Sequence, residues 1–380
     1  MTTVSPPAQF EQSLRDAPTP VAPWSVEVRR ALSEHRLVFA LVAAEMLGAA
    51  LLDWSGRADT LRDGLPGRAR FVLARSATLT FYSLPLLLAW ERWQVRDVAG
   101  KEGWRLAWRQ FVAGRGNPRV LLGVVLAVLL TASVAVLHDG FKNLLTLGRY
   151  HSWDVQFAAW DRTLHGGRYP HEYLAAIWTR PWLLSLATAP YVFWFPVLAG
   201  VNVWQAWSSD RPRRAQYFTC YVLTWLVLGA MAAHAFASMG PVFYGHLVGS
   251  TPYGPLEQAL DAAGGAPAWA RATQAAMWEA WVQRDPRPWL AISAMPSLHV
   301  AMAALYTFTV WERFQRVRWV FLAFLLLTLL SSVLLGWHYA IDGYAAVLGV
   351  WVLWRLSGAL VRTGSRRRPE PGSGHSSAGG

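Results

Sequence analysis

A chain of 380 residues that is 54% hydrophobic, only 15% charged and holds 23 Trp is too apolar for an ordinary water-soluble domain. Its formal charge of +12 would suit nucleic acid, but the basic residues are spread between apolar runs instead of gathered on one face, so membrane topology and anionic headgroups account for them better. Cys220 is the one cysteine and stands inside an apolar run, which excludes a disulfide framework and a thiolate metal site.

Residues 1–35 carry Pro and acidic groups and lack the apolar core of a signal peptide, so they read as a cytosolic leader. Eight runs then reach helical spanning length or approach it: 37–53, 71–90, 119–138, 182–203, 216–238, 297–311, 318–336 and 339–357. A barrel would show shorter alternating segments, so the expected fold class is all-α, a polytopic bundle of about eight transmembrane helices. It divides into N-terminal helices over 36–138, a core over 139–357 with two long outer loops, and a disordered basic tail over 358–380. The sixth run is short and starts with polar residues, so it is expected to line a cavity there.

Alternate connecting segments hold 21 Lys and Arg against 12 in the other set. The positive-inside bias therefore puts both termini in the cytoplasm and His299 and His338 at the outer face of a membrane of the bacterial inner type. The loops 139–181 and 239–296 are rich in Trp, Tyr, Pro and His, and AWARATQAAMWEAW (268–281) has the spacing of a helix lying in the interface. Such loops would roof a site opening at the outer leaflet. No internal repeat is visible, which weighs against a transporter built from inverted halves.

Two stretches carry chemistry. In GWHYAIDGYAA (336–346), His338 and Asp342 stand four apart, a spacing that puts them on one helix face. The carboxylate then fixes the imidazole tautomer and leaves the other ring nitrogen basic and aimed. In AMPSLHVAMA (294–303), Pro296 and Ser297 suit a helix start, where a hydroxyl and free amides meet an anion, and His299 follows. If the sixth and eighth spans are neighbours, one imidazole attacks phosphorus and the other protonates the departing oxygen. Ser297 reads equally well as a plain helix cap. Gly240 and Pro241 read as a lipid-binding turn or as a helix end. His234, Glu45, Arg75 and Arg355 read as packed, paired or snorkelling groups, and the spacing of His151, His165 and His171 does not suggest zinc.

MPSLH (295–299) followed by HYAID (338–342) resembles the type 2 phosphatidic acid phosphatase superfamily, whose three motifs end in Arg-Pro, Pro-Ser-x-His and His-x-x-x-Asp. SMGPVFY (238–244) and WDVQFAAWDRTLHGGRYPHEYL (153–174) are similar to the inositolphosphotransferase branch that includes inositol phosphorylceramide synthases. The resemblance implies a helical phosphoryl transferase that needs no metal or other cofactor and works through a phosphohistidine. His338 would be the nucleophile, Asp342 its partner and His299 the acid, with Ser297, Arg287, Gly240 and Tyr244 binding substrate. Two family cations are missing: Ala280 stands where a Lys precedes Arg287-Pro288, and Ser332 where an Arg precedes the final His. Vanadium haloperoxidase chemistry, which uses those cations, is therefore not expected. The implied partners are a membrane lipid phosphate and an alcohol acceptor such as inositol, with water as the hydrolytic option. The reading from another class is a noncatalytic lipid transporter or scramblase that uses the same polar mouth for headgroups.

Overall fold

The computed structural model describes residues 100–114, 118–147, 152–208, 210–283 and 292–366, with scattered positions between 39 and 96. Among them every regular element is helical and no strand occurs. The expected leader, most of the first two expected spans and the tail beyond 366 lie outside the described residues. In chain order the helices longer than one or two turns are α1 (Gly100–Gly114), α2 (Pro118–Leu147), α3 (Asp154–Leu164), α4 (Pro181–Ala206), α5 (Arg211–Ala235), α6 (Gly254–Ala262), α7 (Ala266–Gln283), α8 (Leu298–Val310), α9 (Val317–Leu334) and α10 (Ala340–Arg366).

Four of these are long and apolar enough to cross a membrane: α4, α5, α9 and the Ala340–Thr363 part of α10. Of the about eight spans expected, four are found among the described residues. The run at 119–138 falls within α2, whose qualifying apolar stretch is the shorter Val120–Thr131, and the run at 297–311 is α8. With 13 residues, α8 extends for only ~20 Å, less than the ~30 Å of a hydrocarbon core. The bundle resolves this by enclosing it. Residues Val300 to Tyr306 have no exposed surface, and α8 packs against α4, α5, α9 and α10. The body of the sixth run is enclosed by helices, and its polar start, where a cavity was expected, lies at the site described below.

Local sequence explains several boundaries. Asp210 caps α5 by accepting from Arg213 N, and Pro stands in the first turns of α4 and α5, where a missing N–H costs nothing. Inside α4, Pro190 and Pro196 bracket the aromatic run Tyr191 to Phe195 and each leaves a backbone carbonyl without its helical donor. In α5, Thr224–Ala232 widens to a π-helix that packs against α2 and α8. Gly343 lets α10 approach α9, since a Cβ there would fall 2.2 Å from Leu329.

One end of this bundle is roofed by the long loops. Helix α7 buries Pro267, Ala270, Gln274, Met277 and Ala280, one stripe at helical spacing, while Trp269 and Val282 stay exposed. With α6 it packs on the start of α4 and the end of α9 through Leu184, Leu256, Leu260, Leu334 and Leu335. Gln274 also donates to Leu335 O, which ties the roof to the turn between α9 and α10.

Candidate active site

The turn from α9 to α10 carries His338. Ser332 O, at the end of α9, accepts from both Trp337 N and His338 N and so holds the turn. Helix α10 begins only at Ala340, so His338 and Asp342 do not share a helix face as their spacing implied. They meet because Asp342, in the first turn of α10, reaches back to the preceding loop: His338 Nδ1 lies 3.3 Å from Asp342 Oδ2, which also accepts from Tyr339 N at 3.0 Å. Both side chains are buried, Asp342 completely. With Asp342 ionised its carboxylate only accepts, an arrangement that puts the ring proton on Nδ1 and leaves Nε2 its lone pair.

Helices α8 and α10 pack directly, which brings the second imidazole to the same region. Ser297 N donates to Asp342 O at 3.3 Å and joins the two helix starts. Ser297 Oγ accepts from Val300 N, so the cap expected of it is formed. His299, in the first turn of α8, stacks on Tyr191 with ring centroids 4.0 Å apart and 13° between planes, and the Trp194 ring centroid lies 4.3 Å away. Trp194 Nε1 donates to His299 O, which holds the start of α8 against α4. The Tyr191 hydroxyl then reaches His338 Nε2 at 3.3 Å. One tyrosine thus touches both histidines, although 39 positions separate them in the chain.

Two aspartates of α3 fasten this assembly from outside. Asp161, 2% exposed, accepts from Ala340 N at 2.8 Å and Ile341 N at 2.9 Å and so caps α10 at the point where Asp342 starts. Burial raises its pKa, while the two amides and His165 pull it back toward the ionised form. Asp154 accepts from Met239 N, Gly240 N and Tyr339 Oη, linking the 238–244 turn to the residue after His338. Gly240 has φ +98°, and a Cβ there would fall 2.4 Å from Trp337 O. Its smallness is therefore explained by backbone packing against the His338 turn. Tyr244 packs with Phe157, Tyr253, Met295 and Tyr339 beside Asp154. Arg287 and Pro288 lie outside the described residues.

Asp154, Asp161, Tyr191 and Trp194 are structural partners of the site that motif spacing did not single out. Two aspartates seven apart in an otherwise apolar segment share a helix face and were a usable signal. Tyr191 gave none, because an aromatic inside an apolar span reads as packing. Glu45, Arg75 and His151 lie outside the described residues, and the other candidates stay apart from the pair. His234 and Arg355 are exposed, His165 bonds Asp161 O and Tyr344 Oη, and His171 is buried between Tyr169 and Tyr253.

The family model described as the PAP2 superfamily matches residues 155–356. Comparison with curated proteins and with solved structures returns no match.

Proposed function

The chain belongs to the PAP2 superfamily of phosphatases and phosphoryl transferases, and from that premise we propose that it is a membrane-embedded lipid phosphotransferase or phosphatase working through a phosphohistidine. The observation that carries the reading is the buried His338–Asp342 pair with His299 held against the same Tyr191. Asp342 keeps the proton on His338 Nδ1, so Nε2 is the nucleophile. Nε2 bonds to the phosphorus of a lipid phosphoester as the bond to the leaving oxygen breaks, and protonated His299 gives that oxygen its proton. In the second step an acceptor oxygen attacks phosphorus, its proton passes to His299, and the N–P electron pair returns to Nε2.

Ser297 still has its hydroxyl hydrogen to donate after capping Val300, which suits it to a phosphate oxygen, with Arg287 as a further clamp. Gly240 and Tyr244, on the turn that Asp154 ties to Tyr339, are the candidate lipid contacts. The 238–244 turn and the α3 segment favour the inositolphosphotransferase-like branch, and with it transfer to an alcohol such as inositol over hydrolysis. In the membrane we expect eight spans, both termini in the cytoplasm and the site at the outer face of a bacterial-type inner membrane, where a lipid enters sideways beneath the roof of α6 and α7.

The test is to incubate the protein in nanodiscs with a panel of labelled phospholipids, with and without polyols, and to follow the phosphate. Wild type should release or transfer label and pass through an acid-labile, base-stable protein adduct. His338→Ala should lower turnover by at least about 10³-fold while the protein still melts cooperatively. Full activity in that variant would be fatal to the mechanism. A protein that moves lipid between leaflets equally well with His299→Gln, without releasing label, would instead be the transporter or scramblase.

A further inference from the structure

We propose that the Tyr191 hydroxyl is a catalytic group: it occupies the approach to His338 Nε2 in the resting site and donates its hydrogen bond to a nonbridging phosphoryl oxygen during transfer. This rests on the reading of His338 as nucleophile. Asp342 engages Nδ1, so the nitrogen that must bond phosphorus is Nε2, and the partner the structure gives Nε2 is Tyr191 Oη at 3.3 Å. A lone-pair nitrogen accepts, so the tyrosine donates. Phosphorus can reach Nε2 only if that hydrogen bond is given up. The hydroxyl then remains beside the incoming group with a hydrogen to place.

The surroundings keep it there. Tyr191 is 4% exposed, and its ring lies flat on His299 with centroids 4.0 Å apart. Leu184, Leu334 and Leu335 belong to the same buried cluster. A phenol so fixed moves little, and a donor already in place stabilises developing charge without reorganisation. Neither covalent step changes the tyrosine's proton count. In the first, the N–P bond forms, the bond to the leaving oxygen breaks and His299 supplies the proton; in the second these changes reverse with the acceptor oxygen. Tyr191 donates a hydrogen bond throughout and stays a phenol.

Tyr191→Phe keeps the ring and removes the oxygen, so folding is checked by an unchanged melting temperature. The probes are labelled phospholipid turnover and calorimetric titration with vanadate, which takes the five-coordinate shape of a phosphoryl in transfer. Loss of the donor should cut kcat/KM about 10²-fold and weaken vanadate binding by a similar factor. Wild-type values for both in Tyr191→Phe would overturn the proposal while leaving the His338 nucleophile intact, and so would a faster enzyme, which would make the hydroxyl only a guard. Wild-type protein that neither turns over phospholipid nor binds vanadate, or an active His338→Ala, overturns the parent reading and this one with it.

Discussion

Asp161 shows how a residue outside the two motifs holds the candidate site in place. Its two oxygens take the first amides of α10, and Asp342 sits within the same helical turn. Asp161→Ala strips both amides of their acceptor in a buried place, a loss worth about 2 kcal/mol or more when cap and desolvation are taken together. The expected outcome is a lower melting temperature and, under the proposed function, a fall in kcat larger than any rise in KM, because Asp342 and His338 lose their fixed geometry while the proposed substrate contacts lie elsewhere. Asp161→Asn retains one acceptor and should retain more of both. Equal, wild-type kcat in the two variants would show that the α10 start holds its place without α3.

Among the helices and turns, the decisive junction is the one between α9 and α10, pressed from one side by the 238–244 turn. Gly240 can sit there because it has no Cβ and tolerates φ +98°. Gly240→Ala forces a clash with Trp337 O and should displace the residue next to His338, costing activity and, through backbone strain, about 1–3 kcal/mol. Gly249→Ala is the comparison: its φ is +79° but nothing lies within 4 Å, so it should lose stability without losing kcat. Thermal melts and turnover on the same samples separate the two. Helix α8 makes a related point. Its apolar run was legible as a helix, yet its burial on every side was not, because periodicity tells which residues are apolar and not how many neighbours arrive to cover them.

For the molecule as a whole, the charge asymmetry between connecting segments predicts a topology that can be measured directly. Cys220 is fully buried, so it gives a quiet background, and Ser250 is exposed in the roof. In intact cells Ser250→Cys should react with a membrane-impermeant maleimide without permeabilisation; reaction only after permeabilisation would reverse the proposed orientation. By itself the amino-acid sequence determined that the chain is helical and membrane-embedded, and which histidines and aspartate matched a phosphoryl-transfer pattern, because hydropathy and short motifs are local properties. Only the tertiary structure decided that His299 and His338 meet across Tyr191, that α3 clamps the start of α10, and that Asp342 contacts His338 from a helix start and not along a shared face. The contacts through Tyr191 and Asp161 join residues about 108 to 180 positions apart, and such pairings depend on which helices pack together, which no single segment encodes.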